Sequence, residues 1–239
     1  MRFAFLIEPP FCFRTEQGTV TGCDVEVARV LAQRIGAGPF VPVETEFDQL
    51  LPGLCDGRWD MTTGLFITAE RKTIADFSRP IWALPDGLLV RAEDLGRLTG
   101  YGALARASSA CLGVVRDQVQ HQTASDLGVP DERIRAFGTY GEAAVAVADG
   151  RIDATASVAM AHRGYLAQTG DPRLAVVEIP TAERPAERGA FAFAKSRSQL
   201  RDAIDAALEG YLGTAEHRRV MERFGFSSAD IDLIAMPAG

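Results

Sequence analysis

The chain has 239 residues, 47% of them hydrophobic and 24% charged, with a formal net charge of -7. That apolar share is enough to bury a core, which excludes a disordered or fibrous polymer, and the acidic balance without a long run of like charges excludes a partner that presents a phosphate backbone. Nothing approaches the roughly 18 apolar residues in a row that a spanning helix needs, and Met1 leads almost directly into an apolar strand with no signal-peptide pattern, so the chain is expected either to lack its leader or to stay in the cytoplasm.

In chain order, residues 3–7 read as an apolar strand, followed by a hairpin about Gln17-Gly18. A helix is predicted over 24–35, where Val27, Leu31 and Ile35 share a face and Gly36 stops the turn. A strand over 40–44 precedes a helix over 48–55, with Asp48 as its expected cap and Gly57 as its end, and 59–63 form the next strand. Thr68 reads as the cap of a short helix that carries Arg71. A strand over 87–91 leaves the first lobe, and the Gly-, Ser- and Ala-rich region 93–110 separates it from a strand over 112–115. The second lobe continues with helix 119–127, strand 134–137, helix 141–148, strand 152–156, helix 159–168 and strand 174–179. A strand over 190–194 then returns, and helices over 200–212 and 216–224 complete the first lobe. Such alternation predicts an α/β protein with mostly parallel sheets flanked by helices. The expected lobes are 1–91 with 190–239, and 92–189, joined by a two-strand hinge at 87–91 and 190–194.

An internal echo supports two lobes. Phe47 to Asp60 and Tyr140 to Asp153 both run from an aromatic residue through an apolar helix to Asp-Gly-Arg-apolar-Asp. Two similar lobes imply a cleft, and the ligand is sought there. Four scattered cysteines, none in a Cys-x-x-Cys pair, argue against a metal site, although Cys12 and Cys23 flank the Gln17-Gly18 turn and either bridge across it or stay free. His121, His162 and His217 have no motif context and read as solvated or internally satisfied side chains.

The chemistry gathers around Gly64 to Arg71. A guanidinium at a helix N-terminus suits a two-pronged grip on a carboxylate; the alternative is surface pairing with Glu70. Glu8 lies past the first strand, at the carboxyl end where ligands bind in open α/β sheets. Phe11, Phe47 and Phe66 also fall at strand ends, as the walls of an aromatic cage would, whereas each taken singly reads as core. Such faces attract a cation by roughly 0.5 to 2 kcal/mol each.

These segments, together with Pro9-Pro10-Phe11, Gly22-Cys23-Asp24-Val25-Glu26-Val27-Ala28, Asp76-Phe77-Ser78 and Gly150-Arg151-Ile152-Asp153, resemble the type 2 periplasmic solute-binding proteins of ABC importers, in the cluster that takes polar amino acids. The resemblance implies the two-lobed periplasmic-binding-protein type 2 fold, no catalysis, no cofactor and no metal. It also implies a membrane permease as partner, a monomeric state, and a periplasmic or extracellular membrane-associated location. Within the family the chain is similar to ectoine- and hydroxyectoine-binding proteins, through Glu8 and Phe11, the aromatic at Phe47, and the spacing of Gly64, Phe66 and Arg71. The implied ligand is a ring carrying a delocalised cation and a carboxylate, with Arg71 on the acid and Glu8 and the cage on the cation.

Ordinary amino-acid binders of the family carry an acid for the ligand ammonium where this chain has Ser157-Val158, a departure that favours a diffuse cation. In the second lobe Asp117-Gln118-Val119 replaces the family's small anion loop, leaving backbone N–H groups of Gln118 and Val119 as the expected carboxylate contacts. The alternatives are a polar or cationic amino-acid binder and a dehydratase-like enzyme on the same fold, with Glu8 as its acid.

Overall fold

In the parallel strands Val41–Glu44, Arg2–Phe5 and Met61–Thr62, Ala4 stands beside Val43 on one side and Thr62 on the other, and helix Cys23–Arg34 follows the first of them in the chain. The computed structural model describes residues 1–235 and divides them into two units. Unit 1 comprises Met1–Ala83 and the residues from Glu187 on; unit 2 comprises Leu84–Ala186.

The carboxyl ends of the three unit 1 strands emerge at one edge, because parallel strands end on the same side. Glu8, Phe47 and Gly64 each follow one of those ends within a few residues. The core beneath joins Ala4, Leu6, Leu50, Leu54, Trp59 and Leu65. The predicted 190–194 strand is two strands: Glu187–Ala190 pairs antiparallel with Leu65–Phe66, and Ala192–Ala194 pairs antiparallel with Ala75–Phe77. The break falls at fully buried Phe191, whose N–H donates to the Ser78 hydroxyl and whose carbonyl accepts from the Ser78 N–H.

Unit 2 has a five-stranded sheet in the order Ile134–Phe137, Leu112–Val115, Ala154–Val158, Asp86–Arg91, Leu174–Glu178. The first three strands are parallel, and Asp86–Arg91 runs antiparallel to both its neighbours. Flanked on both sides, its Gly-Leu-Leu-Val run is buried throughout, as expected of a central strand. Residues 87–91 are thus an interior strand of unit 2 and 190–194 lie within unit 1, and the chain passes from one unit to the other a few residues before each, at 83–84 and 186–187.

Two helices depart from the sequence reading. Tyr101–Arg106 lies inside the stretch taken as a separator, held by the fully buried side chains of Tyr101 and Leu104. Ser228–Ala235 follows the last predicted helix. Asp48 does not cap its helix: it sits inside a single 3-10 turn, Phe47–Gln49, that leads into Leu50–Cys55.

The sequence echo is reproduced bond for bond within each unit. Arg58 N–H donates to the Gly53 carbonyl at 2.8 Å and Arg151 N–H to the Ala146 carbonyl at 2.9 Å. Gly57 and Gly150 both take left-handed φ, 66° and 71°, which closes the helix at no Cβ cost. The final aspartates tie down the start of a neighbouring strand: Asp60 accepts from Arg2 N–H and Asp153 from Cys111 N–H, each at 2.8 Å. Asp-Gly-Arg-x-Asp is therefore a structural device for ending a helix and anchoring a parallel strand.

Candidate functional site

Thr68 is extended, and its hydroxyl accepts from Arg71 N–H at 3.1 Å, capping helix Ala69–Ile74 as the sequence suggested. Arg71 is buried, and its Nη1 donates to the Phe66 carbonyl at 3.1 Å. The guanidinium carbon lies 5.3 Å from the centroid of the Phe47 ring, which stands at the start of its 3-10 turn. Stacking on a ring and bonding to a carbonyl hold the planar cation in place.

Glu8 is also buried. Its N–H donates to the Cys12 carbonyl at 2.9 Å, and its own carbonyl accepts from the N–H groups of Phe11 and Cys12. This tight loop over Pro9-Pro10 docks onto the start of helix Cys23–Arg34, where Cys23 N–H donates to Pro10 and Asp24 N–H to Phe11. Gly22 permits that approach: a Cβ there would lie 2.0 Å from the Phe11 carbonyl oxygen.

Against both Phe11 and Phe66 stands Trp82, a residue the sequence reading did not single out for the site. Its ring centroid is 5.5 Å from that of Phe11 and 5.4 Å from that of Phe66, the latter edge-on. Asp24 fixes the indole by accepting from Trp82 Nε1–H at 3.2 Å through Oδ1, while Oδ2 accepts from the Thr63 hydroxyl at 2.7 Å and Gly64 N–H at 2.8 Å. Burial raises the Asp24 carboxyl above its usual range, and the bonds from Thr63, Gly64, Trp82 and Cys23 pull the other way. The Thr63 hydroxyl also meets Cys12 Sγ at 3.2 Å. Cys12 and Cys23 are buried free thiols, their pKa pushed well up first by burial and then by the Asp24 charge. That places them at the unreactive end of cysteine behaviour.

Contiguous contacts in unit 1 therefore join Phe11, Gly64, Phe66, Arg71 and Phe47 through Trp82 and Asp24, with Glu8 attached through the Cys12 loop. The one sequence signal for Trp82 was its place just beyond Asp76-Phe77-Ser78; the structure puts it in strand Trp82–Leu84, beside Glu187–Ala190.

Gln118 and Val119 belong to unit 2. Asp117 has φ 62°, the left-handed value that aspartate tolerates better than most side chains. Gln118 N–H donates to the Val115 carbonyl at 3.2 Å, so it is engaged in the turn, and the Val119 carbonyl accepts from Thr123 N–H at 3.0 Å. Asp86 organises the helix that follows, accepting from Gln120 Nε2 at 2.9 Å and Tyr101 OH at 3.0 Å and pairing with Arg184 Nε at 3.0 Å. Of the histidines, His162 is fully buried between Tyr140 OH at 2.6 Å and the Gly87 carbonyl at 3.1 Å, and His217 is equally buried. Among the described residues no group of His, Cys, Asp and Glu is placed to hold a metal ion, and no helix is long and apolar enough to cross a membrane.

A model of the bacterial extracellular solute-binding proteins, family 3, matches residues 1–227. Over 233 residues the chain is 30% identical to the probable amino-acid ABC transporter periplasmic-binding protein y4tE of Sinorhizobium fredii, covering 95% of this chain and 77% of that protein. A crystal structure of EhuB in complex with hydroxyectoine superposes with a TM-score of 0.87 at 28% identity, over 97% of this chain and 90% of that one. A shorter match, 40% identical over 72 residues, 30% of this chain and 26% of the relative, is to cyclohexadienyl dehydratase of Pseudomonas aeruginosa.

Proposed function

The chain belongs to the bacterial extracellular solute-binding proteins of family 3, and on that premise we propose that it captures a small zwitterionic compatible solute, ectoine or hydroxyectoine, and delivers it to the permease of an ABC importer. The observation that carries the ligand choice is the juxtaposition of Arg71, stacked on Phe47 and bonded to the Phe66 carbonyl, with the Phe66–Trp82–Phe11 aromatic run. In this reading Arg71 takes the carboxylate in a two-pronged pair, and the aromatic faces with Glu8 take a delocalised cation. The similarity to EhuB, solved with hydroxyectoine, supports the same choice.

A location outside the cytoplasmic membrane and a permease partner follow from the same family premise. A ligand that prefers one conformation of its receptor shifts the population toward it, and that shift is the message the permease reads; no bond has to break.

The second reading, a polar or cationic amino acid as ligand, is favoured by the similarity to y4tE. A thermal-shift and calorimetry panel of ectoine, hydroxyectoine, betaines, arginine and glutamate separates the two, since ligand at about 100 times Kd adds about 2.7 kcal/mol to stability. Silence from ectoine with a response to arginine replaces the first reading by the second. Mass spectrometry of the incubated solute tests the third possibility, a dehydratase, and is expected to recover the solute unchanged.

A further inference from the structure

Trp82 occupies a slot cut to its shape. A Cβ on Gly189 would lie 2.0 Å from its Cη2 atom, and one on Gly64 2.8 Å from its Cζ2 atom. Neither glycine has a left-handed φ, so backbone freedom does not explain them; the indole needs the room. Gly189 is also the direct cross-strand partner of Phe66, and Ile81 N–H donates to its carbonyl at 2.8 Å, which brings the tryptophan alongside. With two glycines against one ring, Asp24 on its N–H, and Phe11 and Phe66 against it, the indole has one place to be.

We infer that Trp82 is a positioning residue for ligand selectivity: locked by Asp24, Gly64 and Gly189, its indole sets where the rings of Phe11 and Phe66 stand and thereby which cationic group unit 1 accepts. The inference rests on the zwitterion-binding reading above and names the determinant within it. Its physical basis is that attraction between a cation and a ring is confined to about 6 Å, so a ring displaced by the loss of its backing changes which cation fits. A point-like ammonium answered by hydrogen bonds is less sensitive to that displacement than a flat delocalised cation.

The test is calorimetric Kd measurement for ectoine and for glutamate, whose cation is a point-like ammonium, on the wild type, Trp82→Phe and Gly189→Ala. Trp82→Phe removes the N–H and part of the ring from within; Gly189→Ala pushes the indole from outside without altering any side chain of the cage. Both variants are expected to reduce the ratio of the glutamate to the ectoine dissociation constant by about tenfold or more, the discrimination that small changes in a pocket carry. Asp24→Asn, which alters the carboxylate that holds the indole N–H, is expected to move the ratio in the same direction. Equal losses for both ligands, or an unchanged ratio, would show Trp82 to be ordinary core and overturn the inference while leaving the functional reading intact. A wild type that prefers glutamate overturns the ectoine reading alone, and the inference then requires that preference to widen in the variants, because the flat cation loses more. Binding of neither ligand overturns both.

Discussion

The guanidinium of Arg71 lies over the ring of Phe47 at 5.3 Å while one of its nitrogens holds the carbonyl of Phe66. Two residues from different strand ends thus fix the plane of one guanidinium. Arg71→Ala is expected to lower ligand affinity at least a hundredfold, since stranding one member of a buried charge pair costs about 3 to 5 kcal/mol. Arg71→Lys should fall between, because an ammonium cannot reproduce a planar two-pronged contact. Calorimetry on the solute panel checks both; an Arg71→Ala protein that binds as the wild type does would remove the carboxylate grip from consideration.

Glu8→Gln keeps the size of the side chain and removes its charge. Affinity for a cationic solute is expected to drop ten- to a hundredfold, in line with about 1.5 to 3 kcal/mol for a hydrogen bond to a charged group. The decisive comparison is between a zwitterion and a simple carboxylate probe such as acetate, whose binding through Arg71 should be unaffected. Equal loss on both would assign Glu8 a structural role.

Gly53 sits inside helix Leu50–Cys55, where alanine would ordinarily gain about 1 kcal/mol. Here a Cβ would meet Trp59 at 2.0 Å, and the Trp59 ring is itself pinned by its N–H to the Leu50 carbonyl. Overpacking of a core costs about 1 to 3 kcal/mol, so Gly53→Ala is expected to destabilise the protein in urea unfolding. The echo in unit 2 has Ala146 in place of Gly53 and the smaller Ile152 in place of Trp59. A stabilised Gly53→Ala variant would contradict this packing.

His162 and His217 both have their pKa lowered to about 4, first by burial, with the neighbouring charges of Arg163 and Arg218 adding to it. His217 Nδ1 accepts from Gly213 N–H, so a proton there would face a donor. Below pH 6.5 the unfolded chain binds these protons and the folded one does not. Their contribution is therefore complete above about 6.5 and is lost as pH falls toward about 4, at roughly 1.4 kcal/mol per pH unit for each ring. His217→Gln and His162→Gln should each flatten stability between pH 6.5 and 4 relative to the wild type. Parallel curves for wild type and variants would refute the assignment.

Much of the architecture was legible because the physics is local. Helix 24–35 announces itself by apolar spacing and a terminal glycine, the Asp-Gly-Arg-x-Asp echo by composition, and Thr68 by its cap chemistry, and the structure has a helix at Cys23–Arg34, the paired turns and the cap. What stayed hidden depends on tertiary partners. Helix Tyr101–Arg106 has a Gly- and Ala-rich sequence and exists through the burial of Tyr101 and Leu104, and the antiparallel run of Asp86–Arg91 is set by its neighbours. At the candidate site, sequence position pointed to Arg71 and the three phenylalanines, while the Trp82 slot needs Gly64 and Gly189, residues 125 positions apart that only strand pairing brings to one ring.

Unit 1 is built from both ends of the chain. Leu65–Phe66 has Glu187–Ala190 as a partner and Ala75–Phe77 has Ala192–Ala194, yet both late strands lie beyond the whole of unit 2. On the ribosome, where the N-terminus emerges first, the uninterrupted second unit has its five strands in hand while the first still shows unpaired edges. A nascent polypeptide halted after Ala186 would thus carry one finished half and one open half, the latter the natural target of chaperones and proteases.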